Sequence, residues 1–227
     1  MTESSPDARV IEKIAGFFQD SRWLQGYVRG KLRADPAYRA VLTELRRRPQ
    51  PVLDIGCGLG LLSFYLREHG FAEPILGVDL DGSKIGRAAA IAAREYEGLR
   101  FSVCDAREVS PDFSAVVMLD VLHYLEDDSR RRLLEAIAAK ASPGGLVLIR
   151  NATKDRSLRY ALTYLEELFV RAIGWIPGGG IINFPTPDAV ASAFRHGGFA
   201  EEIRPLWGRT PFSSHYFVFR RIGGDSE

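Results

Sequence analysis

The chain has 227 residues, 46% of them hydrophobic and 26% charged, and its formal net charge is +1. This composition is typical of a globular protein with one sizeable core, and the charge balance excludes a strong overall attraction to nucleic acid or to a membrane surface. Two cysteines form no disulfide framework, which favours a cytoplasmic location. The first residues lack the basic start and apolar core of a signal peptide, and we find no apolar run of about 20 residues that could span a membrane.

The N-terminal region predicts helices. Between residues 8 and 48 apolar residues recur every three or four positions, and Pro36 is a typical opening residue for the third helix. The first 50 residues carry ten Lys or Arg against six Asp or Glu. We interpret the run Arg46-Arg47-Arg48 as the solvated end of a helix, with a docking patch for an acidic partner or lipid headgroups as the alternative. Residues 1–48 are therefore expected to form a helical cap.

From residue 51 the pattern changes to alternating strands and helices, which indicates a parallel sheet. The predicted strands are residues 51–55, 74–79, 99–103, 114–119 and 145–150. The predicted helices between them are residues 60–69, 83–96 and 127–140. Near the end, Thr186 is the expected N-cap of a short helix through Arg195. A predicted hairpin with strands at 202–207 and 215–220 then closes the chain.

Closely spaced glycines follow the first predicted strand in the segment Asp54-Ile-Gly-Cys-Gly-Leu-Gly60, and a second apolar run ends at Asp79. Tight glycines let backbone N–H groups and a helix N-terminus approach a ligand, and the later carboxylate can accept hydrogen bonds from ribose hydroxyls. A dinucleotide fingerprint would need its third glycine at Leu61. Asp54 would also repel a pyrophosphate, so the segment suits a ligand with cationic groups.

This segment, together with the acid at Asp79, resembles the cofactor site of class I S-adenosylmethionine (SAM) dependent methyltransferases. The resemblance covers about residues 50 to 221. It implies an α/β fold with a Rossmann-like, seven-stranded, mostly parallel sheet whose last strand is antiparallel, with helices on both faces and an N-terminal helical extension. The methyltransferase domain would span 49–221, with 222–227 as a tail, and S-adenosylhomocysteine (SAH) would be the product.

The resemblance also assigns roles to single residues. The glycine loop would cradle the methionine part of SAM, and Asp54 would help orient its ammonium group. Asp79 would bind the ribose, and Asp105 would bond to the adenine amino group. The alternative role for Asp105 is that of a turn or N-cap residue. The alternative for the three glycines is that they form a structural turn in a protein that binds no ligand. The expected cofactor-binding residues are Asp54, Gly56, Cys57, Gly58, Gly60, Asp79, Leu80, Asp105, Ala106, Leu119 and Asp120.

His123 and Tyr124 follow the fourth predicted strand and are the candidate catalytic residues, because ligands of open α/β sheets bind at the carboxyl ends of strands. His123 is the candidate general base, since imidazole titrates near neutral pH. The alternative is a histidine that packs beside the cofactor without proton transfer. An Asp/Asn-Pro-Pro-Tyr tetrapeptide, typical of base N-methylation, does not occur here, and no His, Cys or carboxylate cluster has metal-ligand spacing.

The region 151–185 is expected to be a lid-like insertion, with a helical stripe of apolar residues followed by a segment rich in glycine, proline and large apolar residues. Several aromatic residues and Arg150 are candidates for contact with the acceptor. The alternative role is burial in the core for the aromatic residues and capping of the insertion helix for Arg150. The candidate acceptor-binding residues are Trp23, Tyr27, Arg150, Trp175 and Phe184.

The sequence therefore predicts methyl transfer from SAM to a small, rather apolar acceptor, with oxygen as the favoured attacking atom. One alternative is an acyl, polyene or lipid intermediate on an acidic carrier protein. Another is a SAM-binding regulatory protein without turnover. Aminopropyl transfer and nicotinamide oxidoreduction are disfavoured, no nucleic-acid partner is expected, and the sequence does not indicate an oligomeric state.

Overall fold

The computed structural model describes residues 6–109, 114–154, 183–207 and 213–222. Within these ranges the chain forms seven α-helices and seven β-strands, and it divides into two compact units at Val109. The first unit contains α1 (Pro6–Gly16), α2 (Arg22–Ala34), α3 (Ala37–Arg47), β1 (Val52–Ile55), α4 (Leu61–Glu68), β2 (Ile75–Asp79), α5 (Gly82–Glu95) and β3 (Leu99–Val103). The second unit contains β4 (Ala115–Leu119), α6 (Asp127–Lys140), β5 (Leu146–Ala152), α7 (Pro187–Arg195), β6 (Phe199–Pro205) and β7 (Ser214–Arg221).

The strands have the order β3-β2-β1-β4-β5-β7-β6 in one sheet. In the first unit β1, β2 and β3 pair in parallel, and in the second β4 and β5 do the same. β7 runs antiparallel to both of its neighbours, β5 and β6. The predicted fold class, a mostly parallel seven-stranded sheet with an antiparallel last strand, is confirmed.

The predicted helices and strands are found within one or two residues of their expected bounds, except at β6. This strand begins at Phe199 instead of 202, because Gly198 turns the chain with a φ of 70° and Phe199 then pairs with Arg221. Thr186 is confirmed as an N-cap, since its Oγ1 accepts a hydrogen bond of 3.2 Å from the N–H of Ala189. The predicted helix stripe and turn inside residues 155–182 and 208–212 lie outside the described residues.

The core of the first unit joins the N-terminal helices to the helix that follows the glycine loop. α1 and α3 both pack against α4, with Phe18 and Phe64 fully buried. At the rim, Lys13 forms an ion pair of 2.7 Å with Glu68. The separate helical cap at 1–48 stays a prediction; in the structure these helices belong to the same compact unit as β1 to β3.

The second unit has an aromatic core between α7 and the antiparallel strands. The rings of Phe194 and Phe219 stack with centroids 4.0 Å apart, and Phe217 and Tyr216 are fully buried on β7. α7 also packs against α6. None of the helices in the described ranges is both long and apolar enough to cross a membrane.

Candidate active site

The glycine loop between β1 and α4 has a backbone that only glycine adopts readily. Gly56, Gly58 and Gly60 have φ angles of 69°, 53° and 75°. The N–H groups of Gly56 and Cys57 both donate to the carbonyl oxygen of Val78, at 2.8 and 3.1 Å. The end of β2 therefore holds the start of the loop in place through two backbone hydrogen bonds.

Asp79 lies beside this loop at the end of β2. Its Oδ2 accepts a hydrogen bond of 2.9 Å from the N–H of Gly58, and its Oδ1 accepts one of 2.9 Å from the N–H of Asp81. Each carboxylate oxygen has two lone pairs, so each retains capacity for a ribose hydroxyl. A Cβ added to Gly58 would meet no atom closer than Lys84 Cδ at 3.9 Å, which leaves room beside the loop. These features fit a bound nucleoside.

Gly60 has a second reason to be glycine. A Cβ there would lie 2.6 Å from the ring of Phe101, and one at Gly77 on β2 would lie equally close, at 2.6 Å. The Phe101 ring therefore occupies the space that both glycines leave open. Phe101 and Gly77 were not among the predicted site residues. The available signal was an isolated glycine inside a strand, which often marks a close approach of another group.

Asp54 is a buried carboxyl group at the base of the loop. Burial, together with the charge of Asp79, raises the pKa of Asp54 to about 7, although a hydrogen bond of 3.3 Å from Ser63 Oγ acts to lower that pKa. An ammonium group beside Asp54 would favour the ionised form, which is consistent with the predicted role. Burial, with the charges of Asp54 and Asp79, also raises the pKa of the Cys57 thiol, so Cys57 stays protonated and is no nucleophile.

Asp105 begins the 3₁₀ turn Ala106–Glu108 and accepts a hydrogen bond of 2.9 Å from the backbone N–H of Arg107. The Arg107 guanidinium also binds this carboxylate, with Nε 2.9 Å from Oδ1, and these side-chain and backbone bonds lower the pKa of Asp105 to about 2. The N-cap role is therefore present in the structure. An adenine amino group would have to share a carboxylate that already binds Arg107.

Two apolar side chains stay exposed where β2 and β3 end. Leu80 is 73% exposed and Val103 is 56% exposed, although neither type of residue gains from contact with water. An apolar surface of this kind suits the flat face of an adenine ring. Leu80 is a predicted cofactor contact and stays one. Val103 was not among the predicted site residues; the available signal was an apolar residue that ends a strand just before the polar segment Cys104-Asp105.

In the second unit, Asp120 follows β4 with a φ of 59°, a left-handed conformation that is uncommon outside glycine but tolerated by Asp. Its N–H donates to the carbonyl oxygen of Arg150 at 2.8 Å, and its carboxylate forms an ion pair with the buried Arg150 guanidinium. The structure thus brings together two residues that were predicted separately, one for the cofactor and one for the acceptor.

His123 lies in the 3₁₀ turn Leu122–Tyr124 and is only 2% exposed. Its ring stacks on the Phe184 ring with centroids 5.3 Å apart, and the centroid of the Tyr124 ring lies 4.0 Å from that of His123. Its Nδ1 lies 3.2 Å from Oδ1 of Asn151 on β5. The predicted residues His123, Tyr124 and Phe184 therefore form one aromatic cluster.

Arg130 on α6 holds this cluster together and was not predicted. The buried guanidinium donates to the carbonyl oxygens of Leu122 at 3.3 Å and Asn183 at 2.8 Å, and burial lowers its pKa. The N–H of Asn183 in turn donates to the carbonyl oxygen of His123 at 3.0 Å. These bonds fix Phe184 against the histidine. An arginine in the first turn of a helix, where acids are favoured, was the available signal.

The two predicted acceptor residues of α2 are exposed. Trp23 is 55% and Tyr27 36% exposed, and their rings stack with centroids 5.7 Å apart and an interplanar angle of 6°. Burial in the core is therefore not their role, and contact with the acceptor stays a prediction. Trp175 lies outside the described residues.

Comparison with known proteins identifies the family. The model of a methyltransferase domain matches residues 24–202. A carboxy-S-adenosyl-L-methionine synthase from Aliivibrio salmonicida is 29% identical over 179 residues, which are 73% of this chain and 74% of that protein. A ubiquinone biosynthesis O-methyltransferase from Caulobacter is 29% identical over 171 residues, which are 70% of this chain and 65% of that protein.

Among solved structures, a magnesium protoporphyrin IX methyltransferase from Synechocystis with bound SAH superposes with a TM-score of 0.67 and 20% identity, over 95% of each chain. At that identity the likeness shows a shared fold. The family match spans the glycine loop, Asp79 and the His123 turn. The protein therefore belongs to the class I SAM-dependent methyltransferases, as the sequence predicted.

Proposed function

We propose that this protein transfers the methyl group of SAM to a hydroxyl oxygen of a small, rather apolar acceptor, with His123 as the general base. The observation that carries the proposal is the buried His123 ring, packed between Phe184 and Tyr124 and hydrogen-bonded at Nδ1. A buried imidazole lined by aromatic rings suits an apolar acceptor that gives up one proton.

Residues of the first unit would hold the cofactor. Asp79 would bind the ribose hydroxyls, the glycine loop would accommodate the methionine part and Asp54 would orient the ammonium group. Bound SAM supplies a methyl carbon attached to a positively charged sulfur. Transfer to an acceptor oxygen leaves the electron pair of the broken C–S bond on sulfur, and the hydroxyl proton passes to His123. The contribution of the protein is positioning and the uptake of that proton.

The charges of the described residues favour a neutral acceptor. Arg130 and Arg150, two buried cations near the His123 turn, are paired with Asp127 and Asp120 respectively. A carboxylate-bearing acceptor, or a reaction that builds a carboxylated product, would have to displace an aspartate from one of these ion pairs. One relative is named an O-methyltransferase, which agrees with attack by oxygen.

The basic N-terminal helices give little support to an acidic carrier protein. Arg29 and Arg33 both bind Glu12, at 2.9 and 2.7 Å, and Arg39 binds Asp7 at 2.9 Å. Cations that are paired within the protein attract an acidic partner less than unpaired ones would. The carrier-bound intermediate is therefore the weaker alternative.

The first test is a thermal-shift titration with SAM, SAH and NAD. We expect SAM and SAH, but not NAD, to stabilise the protein, because a ligand that binds only the folded state raises the midpoint temperature of unfolding. Purified protein is then incubated with SAM and a panel of small phenols and alcohols, and SAH formation is measured. Stabilisation by SAM without any SAH formation across the panel would favour the regulatory protein without turnover.

Substitution of the base refines this test. His123→Gln should lower kcat on the identified acceptor by about 100-fold or more, the usual contribution of a general base, while SAM binding changes little. His215→Gln is the matched control, since His215 bonds to Thr153 at 2.8 Å and has no proposed role in proton transfer. Equal losses of kcat and SAM affinity would make His123 a cofactor contact only.

A further inference from the structure

Asn151 and His123 form a buried pair in the second unit. Asn151 on β5 has no exposed surface, and His123 is almost fully buried. The distance of 3.2 Å between Asn151 Oδ1 and His123 Nδ1 is that of a hydrogen bond. Either atom of an amide can face an imidazole nitrogen, so the orientation of the Asn151 amide determines which nitrogen of the ring carries the proton.

Two backbone groups determine that orientation. Asn151 Oδ1 lies 3.0 Å from the N–H of Leu122, which can only donate, and Nδ2 lies 2.6 Å from the carbonyl oxygen of Ala152, which can only accept. Turning the amide over would place donor against donor and acceptor against acceptor. Buried donors and acceptors left without a partner are costly, so the flipped amide is strongly disfavoured. The amide oxygen therefore faces His123, and Nδ1 must be the donor.

The ring of His123 is also held against rotation. Phe184 stacks on it with an interplanar angle of 28°, and the ring of Tyr124 packs against it at an angle of 50°. The backbone of His123 is held by the hydrogen bond of 3.0 Å from the N–H of Asn183. Tautomer and ring orientation are thus both imposed by neighbouring groups.

We propose that Asn151 is a positioning residue that keeps neutral His123 in the Nδ1–H tautomer, with the lone pair on Nε2. The catalytic meaning of this pairing rests on the proposed function. Nε2 is the atom that accepts the hydroxyl proton of the acceptor, while the electron pair of the O–H bond stays on oxygen. Because an amide carries no charge, Asn151 orients the ring without the strong stabilisation that a carboxylate gives to an imidazolium.

Nitrogen NMR of the full-length protein, labelled with ¹⁵N-histidine, tests the tautomer directly. The chain has four histidines, and the spectrum of His123→Gln identifies the signals of His123 by their loss. At a pH where the ring is neutral, Nδ1 should be protonated and Nε2 should not. Asn151→Leu, which has a similar size but no acceptor, should abolish this preference.

Thr153→Val is the matched control. Thr153 lies on the same stretch of chain as Asn151, is equally buried, and contacts His215 instead of His123. This variant should leave the His123 signals unchanged and move those of His215. Asn151→Asp, which keeps an oxygen in the same position, should retain the Nδ1–H tautomer and provides the comparison if Asn151→Leu does not fold.

A wild-type His123 protonated at Nε2 would overturn the proposal, as would a folded Asn151→Leu variant with the wild-type tautomer. Thermal shifts with SAM and SAH on the same samples test the proposed function separately from the pairing of Asn151 with His123. The expected tautomer without stabilisation by either compound would support the pairing and contradict the proposed function. On an identified acceptor, Asn151→Leu should lower kcat by about tenfold or more with little change in SAM binding.

Discussion

The glycine loop of the first unit and the His123 turn of the second unit are built in different ways. The loop is held by backbone groups: glycines with positive φ, and N–H groups that donate to Val78 and Asp79. The His123 turn is held by buried side chains, chiefly Arg130 and Asn151. A site made from backbone depends on a few residue types at fixed spacing, whereas a site made from side chains depends on which residues the fold brings together.

The largest expected effect on SAM binding tests the Asp79 carboxylate, which lies beside the glycine loop. Asp79→Ala should weaken SAM binding by tenfold or more, because a hydrogen bond to a charged group contributes about 1.5–3 kcal/mol. Calorimetric titration with SAM measures it. Asp81→Ala is the control: Asp81 caps α5 and pairs with Lys84 at 3.2 Å, so its loss should lower stability and leave SAM affinity nearly unchanged. Equal losses in both variants would mean that the Asp79 carboxylate serves the loop fold and not the cofactor.

A slightly smaller effect is expected from the packing beneath the loop. Gly77→Ala should destabilise the protein by about 1–3 kcal/mol, because its Cβ would overlap the Phe101 ring at 2.6 Å and Cys57 Sγ at 2.8 Å, and urea unfolding measures this. In a Phe101→Leu background the same substitution should cost clearly less. Gly60→Ala should be rescued less by Phe101→Leu, since the φ of 75° at Gly60 is unfavourable for alanine whatever the space. Equal costs of Gly77→Ala in both backgrounds would show that Phe101 is not the obstacle.

A third prediction is a pH dependence at Asp54. Its pKa is raised from 3.8 to about 7, so the folded state holds the proton more tightly than the unfolded state. Stability should therefore decrease as pH rises from about 4 to about 7 and level off above that. SAM affinity should change in the opposite direction, since an ammonium group favours the ionised carboxylate, and should increase as pH rises through about 7. Asp54→Asn should make both stability and SAM affinity nearly independent of pH, and thermal shift with and without SAM measures both. A wild-type affinity that is constant from pH 6 to pH 8 would contradict the predicted role of Asp54.

The glycine loop could be predicted from the sequence to a greater extent than the His123 turn. The bounds of β1, β2 and α4 and the glycine loop were predicted well, because their signals are local: a strand-length apolar run, closely spaced glycines and an acid at the next strand end. His123, Tyr124 and Phe184 were each selected, but their contact was not predicted. Phe184 is about 60 residues away along the chain from His123, and no local pattern indicates that the two rings stack.

Sequence alone determined the family, the order of helices and strands, and the placement of Asp54 and Asp79 beside the glycine loop, since backbone conformation and hydrophobic periodicity are encoded within short segments. The tertiary structure alone decided the ion pair of Asp120 with Arg150, the Phe101 ring over Gly77, and the amide of Asn151 against His123. These contacts join residues on different strands and turns. They arise because burial leaves each polar group to find its partner among whatever the fold places within hydrogen-bond distance.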